Sequence, residues 1–345
     1  MTARCDRPSR IGRPRATRRY AAFVLSGGLA VGLAACTAAP LSQTGVAPTS
    51  SAVQSSSSSS EPAPSSSAAS DSAMRAAAVS AAPATTSAAP EAVGKGSGTL
   101  RTLSVRVSGD SSTSRRAVAV FTPDVPDPDA LPVVYFLHGL PGTAGTLCTS
   151  AVTSELNTAF RHGVAPFVLA CPDGNPTANS DSEWADSIDG QNKLESFVTV
   201  DAIAAVEGSH RRPRAMRALG GFSMGGFAAA AIALRHPTLY SQVASLAGYY
   251  TIDDPDGVFG ETDAEQNAHD PSVLVPAAVD FRWFLAEAHD DTDPLTDHAG
   301  EAFGAQLKGL KVDYALVRTA GGHSRAWAIR TMPEVARFLS DGWPA

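Results

Sequence analysis

The sequence predicts an α/β domain over residues 97–345, with a mostly parallel central sheet of about eight strands flanked by helices. Three observations predict it. From about residue 97, β-type stretches alternate with helical stretches, as expected when helices connect parallel strands. Most of the β-type stretches are short continuous apolar runs, which are typical of strands buried on both faces. The first two instead alternate apolar and polar residues, which indicates half-buried antiparallel strands at the start of the sheet.

The predicted strands are 99–107, 115–121, 132–138, 164–172, 216–222, 241–248, 282–288 and 312–318. The predicted helices lie near 150–162, 192–208, 224–236, 297–309 and 325–340. Ligands of open parallel sheets bind outside the carboxyl ends of the strands. The loops that follow the strands are therefore where a functional site is expected.

Residues 1–35 have the composition of a signal peptide. The first 20 residues contain seven arginines and one acid, and an uncharged apolar stretch too short to span a bilayer follows at 21–35. The stretch ends in "LAAC", which resembles the lipobox of bacterial lipoproteins, so we expect Cys36 to become a lipidated N-terminus. An ordinary signal peptide with an incidental cysteine is the alternative, and the general and twin-arginine export routes are both open. We expect an exported lipoprotein on the extracytoplasmic side of the cell membrane.

Residues 36–96 are dominated by Ser, Ala, Pro and Thr, a composition that predicts a disordered tether. Cleavage after residue 35 removes seven basic residues and one acid from the totals of 27 and 34, which leaves a net charge of −13. So acidic a chain repels phosphate backbones, and we expect no nucleic-acid partner. Membrane attachment is expected to come from the lipid alone.

The cysteines agree with export. Cys5 would leave with the signal peptide and Cys36 would carry the lipid, which leaves Cys148 and Cys171 as a pair in an oxidising compartment. We predict a disulfide between them, with two buried free thiols as the alternative.

A Gly-x-Ser-x-Gly motif, in "GGFSMGG" at 220–226, lies between a predicted strand and a predicted helix. This context is that of a nucleophile elbow, in which a sharp turn projects the serine hydroxyl above the sheet. Ser223 is therefore the predicted nucleophile. The N–H of Met224, at the start of the helix, is one expected oxyanion donor. The N–H of Leu140, in the loop after the third strand, is the other.

A serine nucleophile needs a base, and the base needs a carboxylate to orient it. His323 follows a predicted strand in a glycine-rich loop and is the predicted base, whereas His236 ends the helix after the elbow and is interpreted as a cap. The loop "HDDTDP" offers Asp290, Asp291 and Asp293 as the acid. Spacing alone does not choose among them.

The motifs "YFLHGLPG", "PDGN", "SEWAD", "GGFSMGG" and "GGHSRAWAIR", in this order, resemble the esterase D, feruloyl esterase and antigen 85 branch of the α/β-hydrolases. The resemblance covers about residues 115–340. It implies the α/β-hydrolase fold and acyl transfer through a Ser-His-Asp triad, with no metal and no organic cofactor. It places the oxyanion donor on Leu140.

The same resemblance addresses two further positions. The family pattern Gly-x-x-Asp-Pro places the triad acid on Asp293, although Asp290 stands where the family has its glycine. In relatives the loop that matches "SEWAD" lies near the substrate. Trp184 and Asp186 are therefore candidate substrate-binding residues.

Together these features predict a serine esterase that acts on a small-molecule, lipid or glycolipid ester. A mycolyltransferase-like acyltransferase that acts on cell-envelope glycolipids is the alternative within enzymes. A non-catalytic binding module on a hydrolase scaffold is disfavoured because the chain keeps candidates for all three triad positions. The sequence does not identify the acyl chain length, the alcohol or the oligomeric state.

Overall fold

The computed structural model describes residues 98–109, 114–175 and 180–344. The predicted signal peptide, the predicted tether and Cys36 lie outside these residues. No helix in the described part of the chain combines the length and apolarity needed to cross a membrane.

Eight strands form one sheet in the order β1-β2-β4-β3-β5-β6-β7-β8. Their bounds are β1 Gly98–Arg106, β2 Arg115–Pro123, β3 Val133–Leu137, β4 Val168–Pro172, β5 Arg217–Phe222, β6 Gln242–Leu246, β7 Arg282–Ala288 and β8 Tyr314–Thr319. β2 is antiparallel to both of its neighbours, and all the other neighbouring pairs are parallel. The predicted fold class, strand number and antiparallel start are confirmed.

The inner strands are buried on both faces, which explains their continuous apolar sequences. In β3, Tyr135 and Leu137 enter the core on one face of the sheet, while Val134 and Phe136 enter the core on the other. Successive side chains of a strand point to opposite faces, so both positions of the alternation must be apolar.

The longer helices are α1 Ser150–Arg161, α4 Met224–Arg235, α7 Ala299–Gly309 and α8 Arg325–Ser340. The predicted helix at 192–208 is present as one continuous helical stretch, made of α2 Leu194–Ser196, a π-helical segment Phe197–Ala202 and α3 Ile203–Glu207. Two short helices between β6 and β7, α5 Asp263–Asn267 and α6 Pro271–Leu274, were not predicted. Both are too short for the 3.6-residue period of a helix to repeat, so no apolar pattern reveals them in the sequence. Side-chain caps at Thr262 and Asp270 stabilise their first turns.

The carboxyl ends of β3, β5, β7 and β8 lie at one edge of the sheet. The parallel registers pair Leu137 of β3 with Gly221 of β5, and Ala288 of β7 with Thr319 of β8. The loops that follow these four strands carry the oxyanion, serine, acid and histidine candidates. The topology therefore brings together candidates that are far apart in the sequence.

Candidate active site

Ser223 occupies a sharp turn between β5 and α4. Its φ of 58° lies in the left-handed region, which non-glycine residues rarely adopt. Glycines make the turn possible: a Cβ on Gly221 would lie 2.1 Å from the carbonyl oxygen of Gly225, and one on Gly225 would lie 2.2 Å from that of Leu137. The glycines are therefore required for close backbone contact, and the strained serine is the one residue of the turn that presents a hydroxyl.

His323 lies beside this hydroxyl, although 100 residues separate the two along the chain. Its Nε2 is 2.8 Å from Ser223 Oγ, within hydrogen-bonding distance. Its Nδ1 is 2.9 Å from Oδ2 of Asp291. The side chain of His323 is 23% exposed and that of Asp291 is 3% exposed, so the imidazole reaches solvent while the carboxylate behind it does not.

The prediction of Asp293 as the partner of His323 is corrected by this geometry to Asp291. Asp293 Oδ1 accepts a hydrogen bond of 3.0 Å from the N–H of Leu295 and so caps the turn that begins there. An Asp followed by Pro, as at 293–294, is typical of a capped turn or helix start. This local signal could have argued against Asp293 in the sequence.

The third candidate, Asp290, connects the acid loop to the histidine loop. Its N–H donates to the carbonyl of Gly321 at 2.9 Å, and its Oδ2 accepts from the Gly321 N–H at 3.1 Å. This pair of hydrogen bonds fixes the two loops in the register that places His323 against Asp291.

Hydrogen bonds to both oxygens hold the Asp291 carboxylate. Oδ1 accepts a hydrogen bond of 3.0 Å from the N–H of Asp293. Oδ2 accepts one of 2.9 Å from the buried hydroxyl of Thr296 and also lies 2.9 Å from Nδ1 of His323. Burial by itself raises the pKa of Asp291, but these donors outweigh burial and the pKa lies below its ordinary value. The carboxylate is therefore charged at neutral pH. Thr296 was not singled out in the sequence, because a threonine in an acidic loop carries no distinguishing pattern.

The two predicted oxyanion donors are free to serve a ligand. Neither the N–H of Leu140 nor that of Met224 donates a hydrogen bond to another group in the described part of the chain. A Cβ on Gly139 would lie 2.9 Å from Cβ of Ser223, so the loop that carries Leu140 packs directly against the serine. The arrangement suits stabilisation of negative charge that develops beside Ser223 Oγ.

His138 supports this loop. Its Nε2 accepts a hydrogen bond of 3.0 Å from the N–H of Gly174, which leaves the proton on Nδ1, and Nδ1 donates to the carbonyl of Gly139 at 2.9 Å. The side chain is 2% exposed. His138 therefore orients backbone and is not positioned to meet a substrate.

Both residues of the predicted substrate-binding loop make hydrogen bonds within the protein. Trp184 is fully buried, and its indole Nε1 donates to the carbonyl of His138 at 3.0 Å. The carboxylate of Asp186 accepts from the N–H and the hydroxyl of Ser196. The ring of Trp184 has no exposed surface, so the prediction that it contacts a substrate is corrected. Asp186 is half-buried and bonded to Ser196, and its substrate contact stays a prediction.

The predicted disulfide is present, since the structure joins Cys148, just before α1, to Cys171 in β4. One group of potential metal ligands, Glu287, His298 and Glu301, lies together among the described residues. Arg318 already occupies this group, with Nη1 2.8 Å from Nδ1 of His298. The guanidinium of Arg318 supplies the positive charge that a metal cation would bring to these side chains. Glu287, His298 and Glu301 form no part of the serine site.

The chain matches the sequence family Esterase, described as "Putative esterase", over residues 110–303. These 194 residues are more than half of the 345 and include Ser223 and Asp291. No curated protein matches the chain.

Solved structures share the fold at low sequence identity. A ferulic acid esterase is 18% identical, with a TM-score of 0.60 over 71% of this chain and 99% of its own. An S-formylglutathione hydrolase from Agrobacterium tumefaciens is 20% identical, with a TM-score of 0.60 over 72% of this chain and 96% of its own. MPT51 from Mycobacterium tuberculosis is 17% identical, with a TM-score of 0.56 over 71% of this chain and 99% of its own.

Proposed function

Because the chain belongs to the Esterase family and is an esterase-type α/β-hydrolase, we propose that it is a serine esterase that cleaves carboxylic esters through an acyl-enzyme. We further propose, from its N-terminal sequence, that it is exported and lipid-anchored. Its triad in this proposal is Ser223, His323 and Asp291. The observation that carries the proposal is the continuous hydrogen-bonded row from Ser223 Oγ through the imidazole to the buried carboxylate, with distances of 2.8 Å and 2.9 Å.

In the first half of the reaction, His323 Nε2 takes the proton from Ser223 Oγ as this oxygen attacks the ester carbonyl carbon. The carbonyl oxygen becomes an oxyanion, which the N–H groups of Leu140 and Met224 stabilise. When the tetrahedral intermediate collapses, the bond to the alcohol oxygen breaks and His323 gives its proton to the departing alcohol. The acyl group is left on Ser223 Oγ.

In the second half, a water molecule attacks the acyl carbon while His323 Nε2 takes one of its protons. The second oxyanion uses the same two donors. Collapse then breaks the bond to Ser223 Oγ, and His323 returns the proton to the serine. Asp291 stays ionised throughout, holds the proton of His323 on Nδ1 and stabilises the imidazolium that forms twice in each cycle.

Labelling of the purified full-length protein with a fluorophosphonate tests this mechanism. We expect stoichiometric labelling mapped to Ser223, and turnover of short-chain p-nitrophenyl esters that falls by about 10⁶-fold in Ser223→Ala. Folded wild-type protein that is neither labelled nor active would contradict the proposal and would favour a non-catalytic binding module.

The same acyl-enzyme could pass its acyl group to a sugar hydroxyl in place of water, which is the acyltransferase alternative. The solvent exposure of His323 gives an acceptor hydroxyl, that of water or of a sugar, access to the group that activates it. Product analysis in the presence of a sugar acceptor distinguishes the two. We expect mostly free acid; mostly acylated sugar would assign the chain to acyl transfer.

Export and lipid attachment rest on the N-terminal sequence, with support from the Cys148–Cys171 disulfide, since disulfides persist in oxidising compartments. In a bacterial host with lipoprotein processing, we expect the wild type in the membrane fraction with a lipidated Cys36. The Cys36→Ala variant should either be absent from the membrane fraction or accumulate with its signal peptide uncleaved. A wild-type chain recovered soluble, with an unmodified Cys36, would leave the esterase proposal intact and contradict the anchor.

A further inference from the structure

The geometry points to Trp184 as a positioning residue for the oxyanion loop, defined here as residues 138–140. Trp184 holds this backbone so that the Leu140 N–H points to the side where Ser223 would attack an ester. The inference rests on the proposed function, because the Leu140 N–H acts as an oxyanion donor only if acyl chemistry takes place at the serine.

Trp184 contacts the oxyanion loop at its first residue in two ways. The indole Nε1–H donates a hydrogen bond of 3.0 Å to the carbonyl of His138. The indole ring also lies beside the imidazole of His138, with ring centroids 4.8 Å apart. Backbone and side chain of His138 are thus both held by one buried residue that is distant in sequence.

His138 passes this constraint to the donor. Its Nδ1–H is bonded to the carbonyl oxygen of Gly139 at 2.9 Å. That carbonyl belongs to the same planar peptide unit as the N–H of Leu140, and in a trans peptide the C=O and N–H point in opposite directions. Fixing the Gly139 oxygen therefore fixes the direction of the Leu140 N–H.

Gly174 leaves room for this arrangement and also takes part in it. A Cβ at Gly174 would lie 2.7 Å from atoms of the Trp184 ring, so only glycine allows the indole to pack there. The N–H of the same glycine donates to Nε2 of His138 at 3.0 Å. The imidazole is therefore held between Gly174, Trp184 and the carbonyl that it orients.

The chain adopts an unfavourable backbone to place the indole. Glu183 and Trp184 are consecutive non-glycine residues with φ of 47° and 58°, both in the left-handed region. The turn is kept by a hydrogen bond from the Ala185 N–H to the Ser182 carbonyl at 2.9 Å, and by one from the Tyr249 hydroxyl to Oε2 of Glu183 at 2.5 Å. Such strain persists only where surrounding contacts fix it, and it is concentrated at functional sites.

The test compares Trp184→Phe with Trp283→Phe in the full-length protein. Trp283 is also fully buried and also donates its indole N–H to a backbone carbonyl, that of Ala278 at 3.3 Å. It lies near the amino end of β7, whereas the site lies at the carboxyl ends of the parallel strands. It thus serves as a matched control for the loss of a buried indole and its hydrogen bond.

We expect Trp184→Phe to lower kcat for a p-nitrophenyl ester by about tenfold or more with KM nearly unchanged, which is part of the 10²–10³-fold that follows complete loss of one oxyanion donor. A trifluoromethyl ketone, whose adduct with the serine is an oxyanion, should bind more weakly by a similar factor. Trp283→Phe should change neither quantity by more than about twofold, even if it lowers the melting temperature equally.

Three results would overturn the inference. Kinetics of Trp184→Phe that match those of Trp283→Phe would assign Trp184 to packing alone. A raised KM with unchanged kcat would return Trp184 to substrate binding. If Trp184→Phe does not fold, β-(3-benzothienyl)alanine is placed at position 184 and, as the control, at position 283; this isostere of tryptophan removes only the N–H donor. A protein that folds with this residue at 283 but not at 184 would show that the hydrogen bond from Trp184 to His138 serves stability, which would overturn the inference as well. An inactive, unlabelled wild type would instead refute the proposed function.

Discussion

Oδ2 of Asp291 lies 2.9 Å from Nδ1 of His323, while Asp293, two residues further along, accepts from the N–H of Leu295. The three aspartates of this loop therefore have three different partners. Asp290 bonds to the histidine loop at Gly321, Asp291 bonds to the imidazole, and Asp293 caps the turn that follows. The separation of these partners makes the identity of the triad acid a testable matter.

Asp291→Asn should lower kcat by about 10⁴-fold, because an amide in place of the carboxylate favours the wrong imidazole tautomer and no longer stabilises the imidazolium. Asp293→Asn keeps an oxygen that can accept from Leu295, so it should lose less than about tenfold. Steady-state kinetics on a single ester compares the two variants directly. The reverse ranking would restore Asp293 as the triad acid.

The Asp291 carboxylate should also make stability depend on pH. Its pKa is lowered in the folded chain from an ordinary value of 3.8, so its ionised form stabilises the fold above pH 3.8. That contribution is lost as the pH falls through the folded-state pKa. The difference in free energy of unfolding between wild type and Asp291→Asn should be largest above about pH 5 and shrink towards pH 3, as measured by urea unfolding. A difference independent of pH would show that the carboxylate gains nothing from its donors.

Thr296→Val should lower kcat by about tenfold with little change in KM, because hydrogen bonds to charged groups contribute about 1.5–3 kcal/mol and this one orients the carboxylate. Thr296→Ser keeps the hydroxyl and should restore most of the activity. The two losses should not add when Thr296→Val is combined with Asp291→Asn, since Thr296 Oγ1 contacts Asp291 Oδ2 and His323 Nδ1, the same two atoms that bond to each other. Fully additive losses would mean that Thr296 acts elsewhere.

Gly221→Ala should destabilise the fold by about 3 kcal/mol or more and abolish activity, because the new methyl group would overlap the Gly225 carbonyl. Gly309, the last residue of α7, provides the control, since a Cβ there meets nothing within 4 Å. Gly309→Ala should leave activity unchanged and add up to about 1 kcal/mol of stability. Thermal and urea unfolding of both variants measure the contrast. An active, stable Gly221→Ala would refute the crowding at the turn.

The sequence by itself predicted the fold class, the serine and histidine that the structure brings together, and the pairing of Cys148 with Cys171. These features depend on local information. Periodicity distinguishes strands from helices, glycines around Ser223 require a crowded turn, and only two cysteines remain in the domain once Cys5 and Cys36 are assigned to the N-terminal region.

Only the tertiary structure decided which aspartate meets His323 and what Trp184 contacts. Asp290, Asp291 and Asp293 follow the same strand at almost the same distance, so the choice depends on how a loop 32 residues later packs against them. The Trp184 indole likewise reaches a carbonyl 46 residues earlier, through a left-handed backbone that its residue types do not favour. Contacts across such separations form when strands assemble into a sheet. The Asp-Pro pair at 293–294 argues locally against Asp293, but no local pattern chooses between Asp290 and Asp291.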